Sequence, residues 1–140
     1  MLFRSAEALA RRDPANTEWQ RDLSVSHDRI GDVLVAQGDR DGALKAYQAA
    51  LAIAETLARR DPANTQWQRD LIVSCVKISE NDPAQARRRL SQALEIARGL
   101  QAAGRLATVD NWMLDDLARR LAAEQGRPAS NCRQIGRAHV

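Results

Sequence analysis

The chain has 140 residues, of which 44% are hydrophobic, 28% charged and only 4% aromatic, the composition of one globular domain built largely from Ala and Leu. Its net charge of +3 resides in the tail: all 18 acidic residues and 18 of the 21 basic ones precede residue 126, so the body is formally neutral and nucleic acid is not an expected partner. No apolar run is long enough for a signal peptide or a membrane span, and Cys75 and Cys132 have neither CxxC nor Cys/His ligand spacing, so a cytoplasmic protein without disulfides, metal or cofactor is expected.

Taken in chain order, residues 2–12 are predicted helical and end at Asp13-Pro14, because proline disfavours helical backbone at the residue before it. Thr17 with Gln20 three residues on has the form of a capping box, opening a helix expected near 17–37. Trp19, Leu23, Ile30 and Leu34 share one face of it with His27, and Gly38-Asp39 is its stop. The next helix, near 41–60, carries Ala43, Tyr47, Ala50, Ala54 and Leu57 at spacings of four, three, four and three, the apolar stripe of an amphipathic helix.

The chain then repeats itself. Residues 9–26 (LARRDPANTEWQRDLSVS) return at 57–74 (LARRDPANTQWQRDLIVS), 48 positions later, with only Glu18/Gln66 and Ser24/Ile72 changed. A helix near 64–80 follows, with Trp67, Leu71 and Ile78 on one face and Cys75 in the place of His27. Asn81-Asp82-Pro83 starts another near 83–103, where Ala86, Leu90, Ala93, Ala97 and Leu100 reproduce the stripe after a five-residue deletion in the turn. A sixth helix is expected near 108–125, with Val109, Met113, Leu117 and Leu121 inward. The predicted units are 13–60, 61–103 and a partial 104–125, and residues 1–12 are expected to be the second helix of a preceding unit. Trp19, Leu23, Ile30, Tyr47, Ala50, Trp67, Leu71, Ile78 and Leu90 are the expected core.

Residues 126–140 are polar, hold Gly and Pro and lack periodicity, so disorder is expected. The final Ile-Gly-Arg-Ala-His-Val is also what a common sequencing-adapter string encodes, which points to a fragment. An Arg-over-Lys bias of 19 to 2 points to a GC-rich bacterial source.

The stretch from His27 to Ala50 resembles a tetratricopeptide repeat (TPR). Ile30-Gly31, Leu34 and Gly38 match the first helix and turn, and Ala43, Tyr47 and Ala50 match the second helix at the family spacing. Both helices are longer than in the standard unit, His27 stands where the family has Trp, and the second copy has Ser79 for the Gly and Leu90 for the aromatic. The resemblance implies an all-α, right-handed superhelical stack of antiparallel helical hairpins over residues 1–125. It also implies a concave groove, lined by the first helices, that binds a peptide or helix of a partner protein. Carried over by position, the partner-binding residues are Val25, Asp28, Asp32 and Val35 in the first copy and Val73, Val76 and Glu80 in the second. They lie opposite the Trp19/Leu23/Ile30 stripe; the competing reading is a solvated flank or packing against a neighbouring unit.

Catalytic signatures are missing: there is no phosphate loop, GxSxG elbow or HExxH. Cys75 and His27 occupy equivalent places on adjacent first helices, but an apolar face favours an inert thiol. Arg87-Arg88-Arg89 is expected to be a solvated flank, since Leu90 faces inward. The expected function is therefore a non-catalytic protein-interaction module. The alternative is the regulatory or sensing arm of a larger bacterial protein with a protease or kinase effector, whose contacts are with another domain of the same chain. Oligomeric state is left open.

Overall fold

The computed structural model describes residues 2–106 and 110–126, with side chains from Ala6 onward. Every regular element among them is a helix: α1 (Leu2–Arg12), α2 (Thr17–Ala36), α3 (Arg40–Arg60), α4 (Thr65–Asn81), α5 (Pro83–Ala102) and α6 (Trp112–Gly126). The fold class is all-α. Each helix packs chiefly against the next in the chain, α1 on α2 through to α5 on α6. None is long and apolar enough to cross a membrane. The expected tail (126–140) lies outside the described residues apart from Gly126, and so does Val109.

Local chemistry sets the boundaries. Gly38 ends α2 in a left-handed turn (φ +84°), and the Asp39 amide donates to the Leu34 carbonyl at 2.8 Å. Gly104 (φ +70°) repeats the device after α5, with Arg105 donating to Leu100 at 2.7 Å. Asp82 serves two helices: its amide donates to the Ile78 carbonyl to close α4, and its carboxylate caps α5 ahead of Pro83. The sixth helix begins at Trp112, later than the expected 108.

Both second-helix stripes are buried as the spacing demands, from Ala43, Tyr47, Ala50, Ala54 and Leu57 in α3 to Ala86, Leu90, Ala93, Ala97 and Leu100 in α5. With Leu71, Ile72, Cys75 and Ile78 of α4 and Met113 and Leu117 of α6, most of them form one contiguous core. The stripe of α2 departs from expectation. Trp19, Leu23, Ile30 and Leu34 are only half-buried, as is Trp67 of α4, and the buried positions of α2 are Ser24 and Gly31. The reason is the company each helix keeps. α4 lies between α3 and α5, whereas the 20-residue α2 has α3 on one side and only the 11-residue α1 on the other. Small residues let α2 and α3 approach closely: Ser24 Oγ donates to the Ala50 carbonyl at 3.0 Å, and Gly31 lies directly against the Tyr47 ring.

Candidate functional site

The duplicated 18-residue segment is the joint between units. In each copy an Asp carboxylate receives the amide two residues on, Asp13 from Ala15 and Asp61 from Ala63, forming an Asx turn around the proline. Asn16 and Asn64, one residue ahead of the predicted Thr caps, accept the Trp19 and Trp67 amides at 3.1 Å. The expected capping-box Gln20 instead reaches back to the Ala10 carbonyl of the preceding helix, and Gln68 does the same to Ala58. Each copy thus ties its own first helix to the end of the helix before it.

The Arg-Asp dipeptide of the repeat then links one first helix to the next. Arg21 of α2 grips both oxygens of Asp70 of α4, at 2.7 and 3.3 Å, and the equivalent Arg69 reaches the buried Asp110 ahead of α6 at 3.1 Å. Further along the same helices, Lys77 pairs with both oxygens of Asp32 (3.0 and 2.9 Å), and Arg120 of α6 pairs with Glu80 at 2.9 Å. Four side-chain bridges therefore lace α2 to α4 and α4 to the α6 region. Such cross-links join residues 40 or more positions apart; the repeated Arg-Asp dipeptide marks the first two in the sequence, and nothing local marks the other two.

Tyr47 anchors the middle of the α2–α4 seam. Its hydroxyl donates to Asp32 at 2.6 Å, and the Lys77 ammonium lies 5.7 Å from the ring centroid. Burial, followed by the Asp32 carboxylate, raises the phenol pKa well above its ordinary value. For Asp32, burial works against ionisation, but the hydrogen bonds from Tyr47 and Lys77 prevail and hold its carboxyl below the usual range. Asp28 has neither Tyr47 nor a paired cation, and its Oδ1 is buried without a partner. Burial pushes its carboxyl up to about 6, opposed by the Lys77 charge and reinforced by Asp32 and Asp70, with Ser74 a weak aid to the charged form.

These contacts add intramolecular partners at three of the seven positions expected to line a groove. Asp28 and Asp32 face α4, and Glu80 reaches α6, so the three acids stitch neighbouring first helices together. Val76 is half-buried against the core and Val25 is half-buried, while Val35 (39% exposed) and Val73 (43%) stand in solvent. Asp28 and Asp32 were both expected on an open strip: Asp28 is half-buried, whereas the Asp32 side chain is 53% exposed while paired with Lys77. Sequence reasoning also missed Tyr47, Lys77, Ser74 and Arg120 as members of this face, although the four-residue register shared by Asp28 and Asp32 was visible.

Cys75 is fully buried, and burial pushes its thiol up to about 12, with Arg89 and Glu55 as its charged surroundings. His27 instead looks towards α1, where Glu7 is the neighbouring charge, and burial lowers its pKa. The two side chains sit in separate environments. In the basic run, Arg87 and Arg88 are exposed, Arg89 is half-buried between Gln85 and Gln92, and Leu90 is in the core. Two open clefts, of about 410 and 260 Å³, flank the Pro14 joint and share only Pro14 and Gln20, with no convergent acid, base and nucleophile. No group of three or more potential metal ligands occurs among the described residues. Compared with protein-family models, with curated proteins and with solved structures, the chain matches none.

Proposed function

We propose that this chain is a non-catalytic protein-interaction module of the TPR kind, a right-handed superhelical stack of antiparallel hairpins that holds a partner's peptide or helix along its first helices. The observation that carries this reading is the lacing of α2, α4 and the α6 region by ion pairs. These pairs keep successive first helices in register while leaving Val35 and Val73 exposed. A rigid surface with exposed apolar positions suits binding, because little ordering entropy is spent on association. The repeated joint favours the same reading, since identical joints let units stack against their neighbours.

The test uses positions that the fold does not need. Peptides selected from a display library on the folded chain are re-measured against Val35→Glu combined with Val73→Glu. The expected result is a loss of about tenfold or more in affinity with an unchanged denaturation midpoint. Peptides bound equally well by the variant would move the binding surface away from the first helices and overturn the proposal.

A further inference from the structure

The α2–α4 seam contains three carboxylates, Asp28, Asp32 and Asp70, and two cations, Lys77 and Arg21. Both cations are committed. Lys77 is held on the two oxygens of Asp32, and Arg21 on the two oxygens of Asp70. The Tyr47 hydroxyl of α3 is spent on Asp32 as well. Asp28 is the carboxylate left over. Its Oδ1 and the Ser74 Oγ of α4 are both buried, and neither makes a well-formed hydrogen bond. The charged and titratable groups around Asp28 are thus Asp70 and Lys77 from α4, Tyr47 from α3, and Asp32 on its own helix.

We propose that Asp28 is a proton-operated latch between α2 and α4. Protonated, its carboxyl adds no charge and the seam is closed; ionised, it still accepts from the Ser74 hydroxyl but leaves one uncompensated negative charge beside Asp32 and Asp70 and loosens the seam. The proton is taken from and returned to solvent, so nothing else is consumed. Burying a lone carboxylate is costly, and the usual remedies are a counter-ion, several donors or neutralisation. Here both cations are paired with the other acids, and the more distant Lys77 charge and the Ser74 hydroxyl offset only part of the burial cost.

The direction of the effect follows from linkage. A carboxyl that folding pushes up to about 6 contributes stability that is full below its unfolded value near 4 and is lost as pH rises through about 6. His27 has the opposite sign in an overlapping window: its lowered pKa gives stability that is lost as pH falls through its folded value. A comparison of the chain with Asp28→Asn cancels the His27 contribution, because His27 is present in both.

The experiment titrates the Asp28 side-chain carboxyl carbon by NMR in the full chain. It also measures urea unfolding and amide hydrogen exchange at pH 4.5 and 7.5 for the wild type and Asp28→Asn. Three results are expected. The carbon should titrate near 6. The folding constant of the variant relative to the wild type should rise on the order of tenfold or more between the two pH values. Protection of α4 amides, corrected for intrinsic rate, should fall at pH 7.5 in the wild type alone. An Asp28 carbon that titrates near 4 overturns the latch even if the variant does not fold. So does a pH-independent ratio, or α4 protection that does not change with pH.

Discussion

Gly31→Ala tests the tight contact between α2 and the Tyr47 ring of α3. Gly31 is buried in the second half of α2, and a Cβ built there would lie 2.6 Å from Tyr47 Cδ1 and 2.9 Å from Cζ, with Cε1 nearer still. The ring cannot step aside freely. It is 2% exposed, its hydroxyl is bound to Asp32 at 2.6 Å, and Lys77 lies over its face. Two effects compete. Ala is the better helix former by about 1 kcal/mol, but an extra methyl in a packed site costs about 1–3 kcal/mol. If the ring shifts, the hydrogen bond to a charged acceptor is also lost, at about 1.5–3 kcal/mol. The net expectation is destabilisation of about 1–3 kcal/mol. Gly99→Ala is the control: it is an exposed helical position with nothing within 4 Å of the added Cβ, and it should gain about 0.5–1 kcal/mol. Urea denaturation at constant pH reads both. If Gly31→Ala is as stable as Gly99→Ala, the α2–α3 contact does not depend on that glycine, and the close-packing argument fails.

Two further outcomes are expected. Asn64→Ala removes the cap that receives the Trp67 amide and should cost about 1 kcal/mol in urea unfolding, with Thr65→Ala much milder; equal costs would restore Thr65 as the effective cap. In a Cys132→Ser chain, Cys75 should alkylate at pH 8 at least about a hundredfold more slowly when folded than in urea, because burial pushes its thiol up to about 12 and hides it from reagent; similar rates would place the thiol in solvent.

What sequence alone determined was local. The spacing of Ala43, Tyr47, Ala50, Ala54 and Leu57, and of its echo from Ala86 to Leu100, named the buried faces of α3 and α5 because a helix returns every third or fourth residue to one side. Pro14, Gly38 and Asp82-Pro83 marked the turns through backbone preferences that need no tertiary partner. An apolar stripe, however, says which face is apolar and nothing about what covers it. Leu23 and Ile30 match Leu71 and Ile78 of α4, yet they remain half-buried where their counterparts are buried, because α2 and α4 have different neighbours. The fate of the acids was equally invisible. Asp28, Asp32 and Glu80 share a register that sequence placed on an open groove, and only folding could bring Lys77, Tyr47 and Arg120 from other helices against them. Charge pairing across 40 residues depends on which helices become neighbours, and that is decided by packing of the whole core rather than by any periodicity within one helix.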